Sequence, residues 1–176
     1  KEGYKFPIRV FHSPLKDKSY FRLKPDLDSR SIVCIGTAGN LRKGTDIQAK
    51  VAGSTGQEVY ILGRIHKIRK IYEKTKDIPN LTYTGFKDPK IYMKKSLVFL
   101  HPARFDPGPN AVIEAMAAGL IPIISDRSGR DEIVSRVRKD LVINGPDPKR
   151  YTKKVKEILA LKKTQLSDLS KRCKRV

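Results

Sequence analysis

Six short apolar runs separated by polar or helical stretches leave this chain few ways to fold. The runs are SIVCIG (31–36), EVYIL (58–62), LTYTG (81–85), SLVFLH (96–101), IPIIS (121–125) and DLVIN (140–144). They are continuous and rich in β-branched residues rather than alternating, as expected of strands buried on both faces. Between them lie KGTDIQAKVAGS (43–54), HKIRKIYEKTK (66–76), DPKIYMKK (88–95), PNAVIEAMAAG (109–119), GRDEIVSRV (129–137) and DPKRYTKKVKEILALKK (147–163). Strand followed by helix, repeated, predicts an α/β fold: a parallel sheet of about six strands with helices on both faces. Gly119 closes one helix and Asp147-Pro148 opens another, the punctuation such helices use.

A chain of 176 residues with 39% hydrophobic content can bury one core, so a single domain is expected over 1–176. Residues 1–30 fit the pattern least. IRVFH (8–12) reads as a further strand and the prolines and charges after it as a loop, so 1–30 is expected to be a lead-in or linker. From Gln165 the tail (164–176) reads as a helix with little to pack against. The first residue is Lys1, which predicts that the sequence begins partway through a longer protein. Two cysteines, one in an apolar run and one in the basic tail, form no disulfide framework and point to a reducing, cytoplasmic setting. There is no apolar stretch of transmembrane length and no signal-peptide pattern.

Lys and Arg number 38 against 18 Asp and Glu, a formal charge of +20. Such a surface attracts polyanions: nucleic acid, anionic membrane or phosphorylated ligands. No zinc-ligand spacing and no aromatic RNA-binding run accompany it, and aromatics are 7% of residues. A nucleic-acid partner therefore rests on charge alone and is the weaker expectation. No His, Cys or Asp cluster has ligand spacing, so no metal is expected.

In an open parallel sheet, ligands bind beyond the carboxyl ends of the strands. Two junctions there are unusual. The first, IGTAGNLRKGTD (35–46), passes Gly36 and Gly39 and enters a helix at Lys43-Gly44-Thr45. Free backbone amides at a helix start, with Arg42 and Lys43, would make an anion site. Its spacing is neither that of a Walker A loop nor that of a dinucleotide fingerprint. Read alone, an ordinary strand–helix turn with solvated cations is the simpler account. The second junction is FDPGPNAVIEAMAAG (105–119). Asp106 lies in the loop and Glu114, eight positions on, lies more than a turn into the helix. Ala111, Val112, Ala115, Met116 and Ala118 would pack that helix onto the sheet, leaving Glu114 on a face of small side chains where a ligand can come close. Both acids are expected to face one cleft. Taken singly, Asp106 also reads as a capping acid and Glu114 as a solvated one.

Together the junctions resemble the donor-binding signature of the family 4 (group 1) glycosyltransferases. That signature has the form E-G-F-P-N-x-x-x-E-A-M-A-x-G-x-P-V-I, an E-x(7)-E pattern, followed by a glycine-containing turn and Glu-Ile-Val. Here Pro109-Asn110, Glu114-Ala115-Met116-Ala117, Gly119 and Pro122 fall in register, and SGRDEIV follows. IGTAGNLRKG resembles the family's G-R-x(5)-K-G loop, and LTYTGF the strand and loop preceding the nucleotide site. The resemblance runs in order from about Ile32 to about Leu161.

The resemblance implies a GT-B protein of two Rossmann-like domains, this chain being the C-terminal, nucleotide-sugar-binding one. It implies a sugar transferred, with retention, from a UDP- or GDP-type sugar, with no cofactor or metal. By position, Glu114 would bind the ribose hydroxyls and Asp106 the transferred sugar. Lys43 would hold the diphosphate with the amides around Gly108, Pro109 and Asn110, and Phe86 would flank the base. Three positions depart from the pattern: Asp106 replaces the usual Glu, Thr37 the usual arginine after Gly36, and Gly108 the usual aromatic. Arg42 is then a candidate second cation. The partners implied are a nucleotide sugar, an N-terminal GT-B domain, and an anionic membrane or lipid-linked acceptor drawn by the basic surface. The fragment alone would be inactive. Thr37 and Asp106 keep open a degenerate domain that binds nucleotide without transfer. The GT-B sugar-nucleotide epimerases share the architecture without the Pro-Asn…Glu-Ala-Met-Ala pattern.

Overall fold

A computed structural model describes residues 13–36, 40–65 and 70–176. Its six strands are β1 (Ile32–Ile35), β2 (Val59–Leu62), β3 (Leu81–Gly85), β4 (Val98–His101), β5 (Ile121–Ser125) and β6 (Val142–Ile143). They form one sheet in the order β3-β2-β1-β4-β5-β6, and every pairing is parallel. This is a Rossmann-like sheet. The strands β2, β4 and β5 are buried along their whole length, which is why their sequences are continuous apolar runs. Two helical layers cover the sheet. On one side α1 (Thr45–Thr55) packs against α2 (Lys70–Thr75) and α6 (Pro148–Leu159). On the other, α4 (Asn110–Ala118) packs against α3 (Pro89–Lys94) and α7 (Lys163–Arg175), and α5 (Asp131–Val137) against α7.

Local chemistry sets the boundaries. Asp88 and Asp147 each cap a helix that has proline in its first turn, and their carboxylates accept from Lys90 N and Lys149 N. Gly119 ends α4 in the left-handed conformation at φ 86°. Some expectations need correcting. The run 140–144 is mostly not strand: a 3-10 turn, Lys139–Leu141, precedes the two residues of β6. Lys43 ends a 3-10 turn, Leu41–Lys43, and α1 starts only at Thr45. The tail is well packed, because Leu166, Leu169, Ser170 and Cys173 form a buried stripe against α4, α5 and β5. Nor is the stretch after residue 12 all loop: a 3-10 turn spans Lys18–Arg22, and Tyr20 and Leu23 join the core. IRVFH (8–12), Thr37 and residues 66–69 lie outside the described residues.

Candidate functional site

The strand order reverses at β1. Connections run outward from β1 through β2 to β3, then return to place β4 on the other side of β1. The loops leaving β1 and β4 therefore diverge to opposite faces and open a crevice at their carboxyl ends, where α/β sheets bind ligands. These are the two junctions the sequence singles out.

The loops are tied together closely. Arg104 N donates to Arg42 O at 2.8 Å. The Arg104 guanidinium makes a two-pronged contact with Asp46, at 2.8 Å to each carboxylate oxygen, and a third bond to Leu41 O at 2.8 Å. Gly44 has φ 74°, and a Cβ there would sit 2.1 Å from the Pro102 carbonyl oxygen, so only glycine lets the loops meet. The loop after β5 joins on the far side. Asp106 N donates to Arg127 O at 3.1 Å, and Gly129 N to Asp106 O at 2.8 Å. A Cβ on Gly129 would lie 1.9 Å from Pro107 O, so this approach also needs glycine. Arg104→Gln is expected to lower stability by about 1 kcal/mol, the usual scale for a partly exposed charged pair with good geometry. An unchanged urea midpoint would show that the arginine is not what ties the loops.

At the meeting point Asp106 forms an ion pair and hydrogen bond with Lys43 Nζ. His101, buried at the end of β4, puts Nε2 3.0 Å from the same carboxylate oxygen, though not in hydrogen-bonding alignment. Burial alone would raise the Asp106 pKa; His101 and Lys43 outweigh it and bring it down to about 2. Asp106 is thus a fixed anion with a cation beside it. Gly36 lies under Lys43, where an added Cβ would rest 3.8 Å from Lys43 Cγ. Between the loops after β4 and β5, an open groove of about 410 Å³ runs past Phe105, Arg127 and Gly129.

The helix start is also free. Pro109 occupies the cap position of α4, and no side chain caps it, leaving amides for an incoming anion. Gly108 beside it is open to solvent. Asn110 turns its side-chain oxygen to Arg130 at 3.2 Å.

Glu114 lies apart from this cluster. Its recess is formed with Pro14, Leu15, Lys16, Asn110 and Ile113, and the phenol of Tyr20 donates toward its carboxylate. Burial raises its pKa, partly offset by Tyr20. Among the described residues, no partner or cavity joins Glu114 to Asp106. Phe86 is 86% exposed at the end of edge strand β3, with β2 and β1 between it and β4. Arg42 contributes its main chain to the loop contact and holds its side chain in solvent.

Lys43 and Asp106, both singled out in the sequence, are in contact; three nearby side chains, His101, Tyr20 and Arg130, were not singled out. Only His101 carried a signal, as a polar residue ending an apolar strand. Among the described residues no group of three or more His, Cys, Asp or Glu could hold a metal, and no helix is long and apolar enough to cross a membrane.

Solved structures share the fold. WaaG, a glycosyltransferase involved in lipopolysaccharide biosynthesis, aligns with a TM-score of 0.69 at 17% identity, over 82% of this chain and 42% of its own. HepE from Anabaena, solved in complex with UDP and glucose, gives 0.72 at 12% identity over 84% and 43%. Sucrose-phosphate synthase from Thermosynechococcus elongatus gives 0.69 at 21% identity over 89% and 45%. This chain therefore spans less than half the length of each. A search of curated protein sequences gives no match. The family model described as Glycosyl transferases group 1 matches residues 31–175, more than half of the chain. The chain belongs to the group 1 glycosyltransferases.

Proposed function

We propose that this chain is the donor-binding half of a retaining glycosyltransferase that takes its sugar from a nucleoside-diphosphate sugar. The observation that carries the reading is the contact of Lys43 with Asp106 across the crevice between β1 and β4, beside the uncapped start of α4. As the glycosidic bond breaks, negative charge develops on the diphosphate. Lys43 and the amides at Asn110 and Ala111 are the groups that would stabilise it. Asp106, ionised at any physiological pH, accepts hydrogen bonds from sugar hydroxyls. Glu114 accepts them from the ribose, with Tyr20 orienting its carboxylate. The nucleotide is the part that HepE, solved with UDP and glucose, suggests for this chain. Acceptor contacts fall to a second domain, so transfer needs the longer protein.

Calorimetric titration of the chain with UDP- and GDP-sugars tests this. Saturable binding is expected with one nucleotide class, and Asp106→Ala should weaken the sugar nucleotide at least tenfold more than the bare nucleotide. No saturable binding to either class would defeat the reading. Thr37 in place of the usual arginine and Asp106 in place of the usual glutamate favour a second reading, nucleotide binding without transfer. Donor turnover by the longer protein would eliminate it.

A further inference from the structure

We infer that a cavity between α4, α5, α7 and the segment before the first 3-10 turn binds an anion carrying an apolar body. The cavity holds about 300 Å³ and has walls of Leu15, Phe21, Ile113, Met116 and Ile133. Two cations, Arg130 and Lys174, line it, and among the described residues no Asp or Glu side chain does.

Arg130 is the reason to expect a ligand. It is 2% exposed, among the largest fully buried side chains, yet no carboxylate among the described residues pairs with it. Its Nη2 donates to Ser13 O and Asn110 Oδ1, each at 3.2 Å, while Nε and Nη1 have no partner. A buried guanidinium stays charged and is costly without a counter-ion. Lys174 Nζ reaches only main-chain oxygens, those of Phe21 and Leu23. Arg130, beside Asn110 at the start of α4, thus lacks a negative charge at one end of an apolar space, while Lys174 lies by Gly119 at the other end of that helix. A phosphate or carboxylate group meets the first need and a short hydrocarbon body the second. The cavity shares Pro14, Leu15 and Ile113 with the Glu114 recess but no residue with the groove past Phe105, Arg127 and Gly129, so it lies apart from the crevice between β1 and β4.

Decyl phosphate, below its micellar concentration, is the probe, with decanol and inorganic phosphate as partial ligands, all titrated calorimetrically into the whole chain. Decyl phosphate is expected to saturate one site, with inorganic phosphate and decanol each at least tenfold weaker. Arg130→Met should weaken decyl phosphate tenfold or more and change decanol less than twofold. Phe21, half exposed on the wall, provides a second variant: Phe21→Glu should also repel decyl phosphate, and it decides the matter if Arg130→Met does not fold. The proposal is overturned if decyl phosphate and decanol bind alike, or if inorganic phosphate binds as tightly as decyl phosphate. It is likewise overturned if the folded variants bind as the parent does, or if the heats never saturate, as adsorption to a basic surface would give.

Discussion

Glu114→Gln is expected to weaken nucleotide binding by about two orders of magnitude, the scale of hydrogen bonds to a charged acceptor, while raising thermal stability at neutral pH. The two effects share a cause. Glu114 is half-buried beside Tyr20, and burial raises its pKa above the ordinary glutamate value. The folded chain therefore holds this proton more tightly than the unfolded chain does. The group's contribution to stability is fully present below its unfolded pKa and is lost as pH rises through the raised one. Glutamine keeps an acceptor for the Tyr20 phenol and removes the buried charge. The variant's melting temperature should match the parent's near pH 4 and exceed it at pH 7. Calorimetry on the same samples reads the ribose role: full affinity in the variant would remove Glu114 from the site. A melting temperature no higher at pH 7 would contradict the burial argument.

The sheet was legible because strands buried on both faces tolerate almost nothing polar. The sequences of β1, β2, β4 and β5 show that constraint directly. The run 140–144 does hold the sixth strand, but its extent was overestimated because a short apolar stretch has no period. Leu141 is as fully buried in a 3-10 turn as it would be in a strand. The tail failed differently. Leu166, Leu169 and Cys173 carry a helical spacing, but the surface of α4 and α5 that receives them lies far back in sequence.

The site shows the same division. Lys43 and Asp106 stand 63 residues apart, and each could be suspected from its own loop. That they touch depends on β4 returning to lie beside β1, information carried by strand order and not by either loop. The shared cleft expected for Asp106 and Glu114 depends on where Glu114 looks, and the Tyr20 phenol beside that carboxylate comes from a stretch with no periodic signal. Arg130 was unreadable for a general reason: arginine is among the residues least often buried, so composition places it in solvent.

Lys43→Met is expected to cost about 3 kcal/mol, the scale on which breaking a buried ion pair strands the remaining charge. Asp106→Asn in the same chain should return most of that loss. The Asp106 side chain is 10% exposed and that of Lys43 20%, so the carboxylate left behind is largely shielded from water, with His101 Nε2 3.0 Å away. The Asp106 pKa, about 2, gives the pH signature. A depressed carboxylate stabilises the fold above its unfolded pKa, and that contribution is lost as pH falls through the folded one. The deficit of Lys43→Met should thus be full at pH 7 and shrink between about pH 4 and pH 2, as Asp106 takes up its proton in the parent too. Urea denaturation of the parent, both single variants and the double variant closes the cycle. Strictly additive losses would mean that the pair carries no coupling and that the loops are held by Arg104 and the glycines alone. Binding should divide the cycle the other way. The double variant regains its fold but lacks the cation for the diphosphate, so it should stay blind to sugar nucleotides. If it binds them as the parent does, Lys43 only neutralises Asp106, and the diphosphate is held elsewhere, with Arg42 the next candidate.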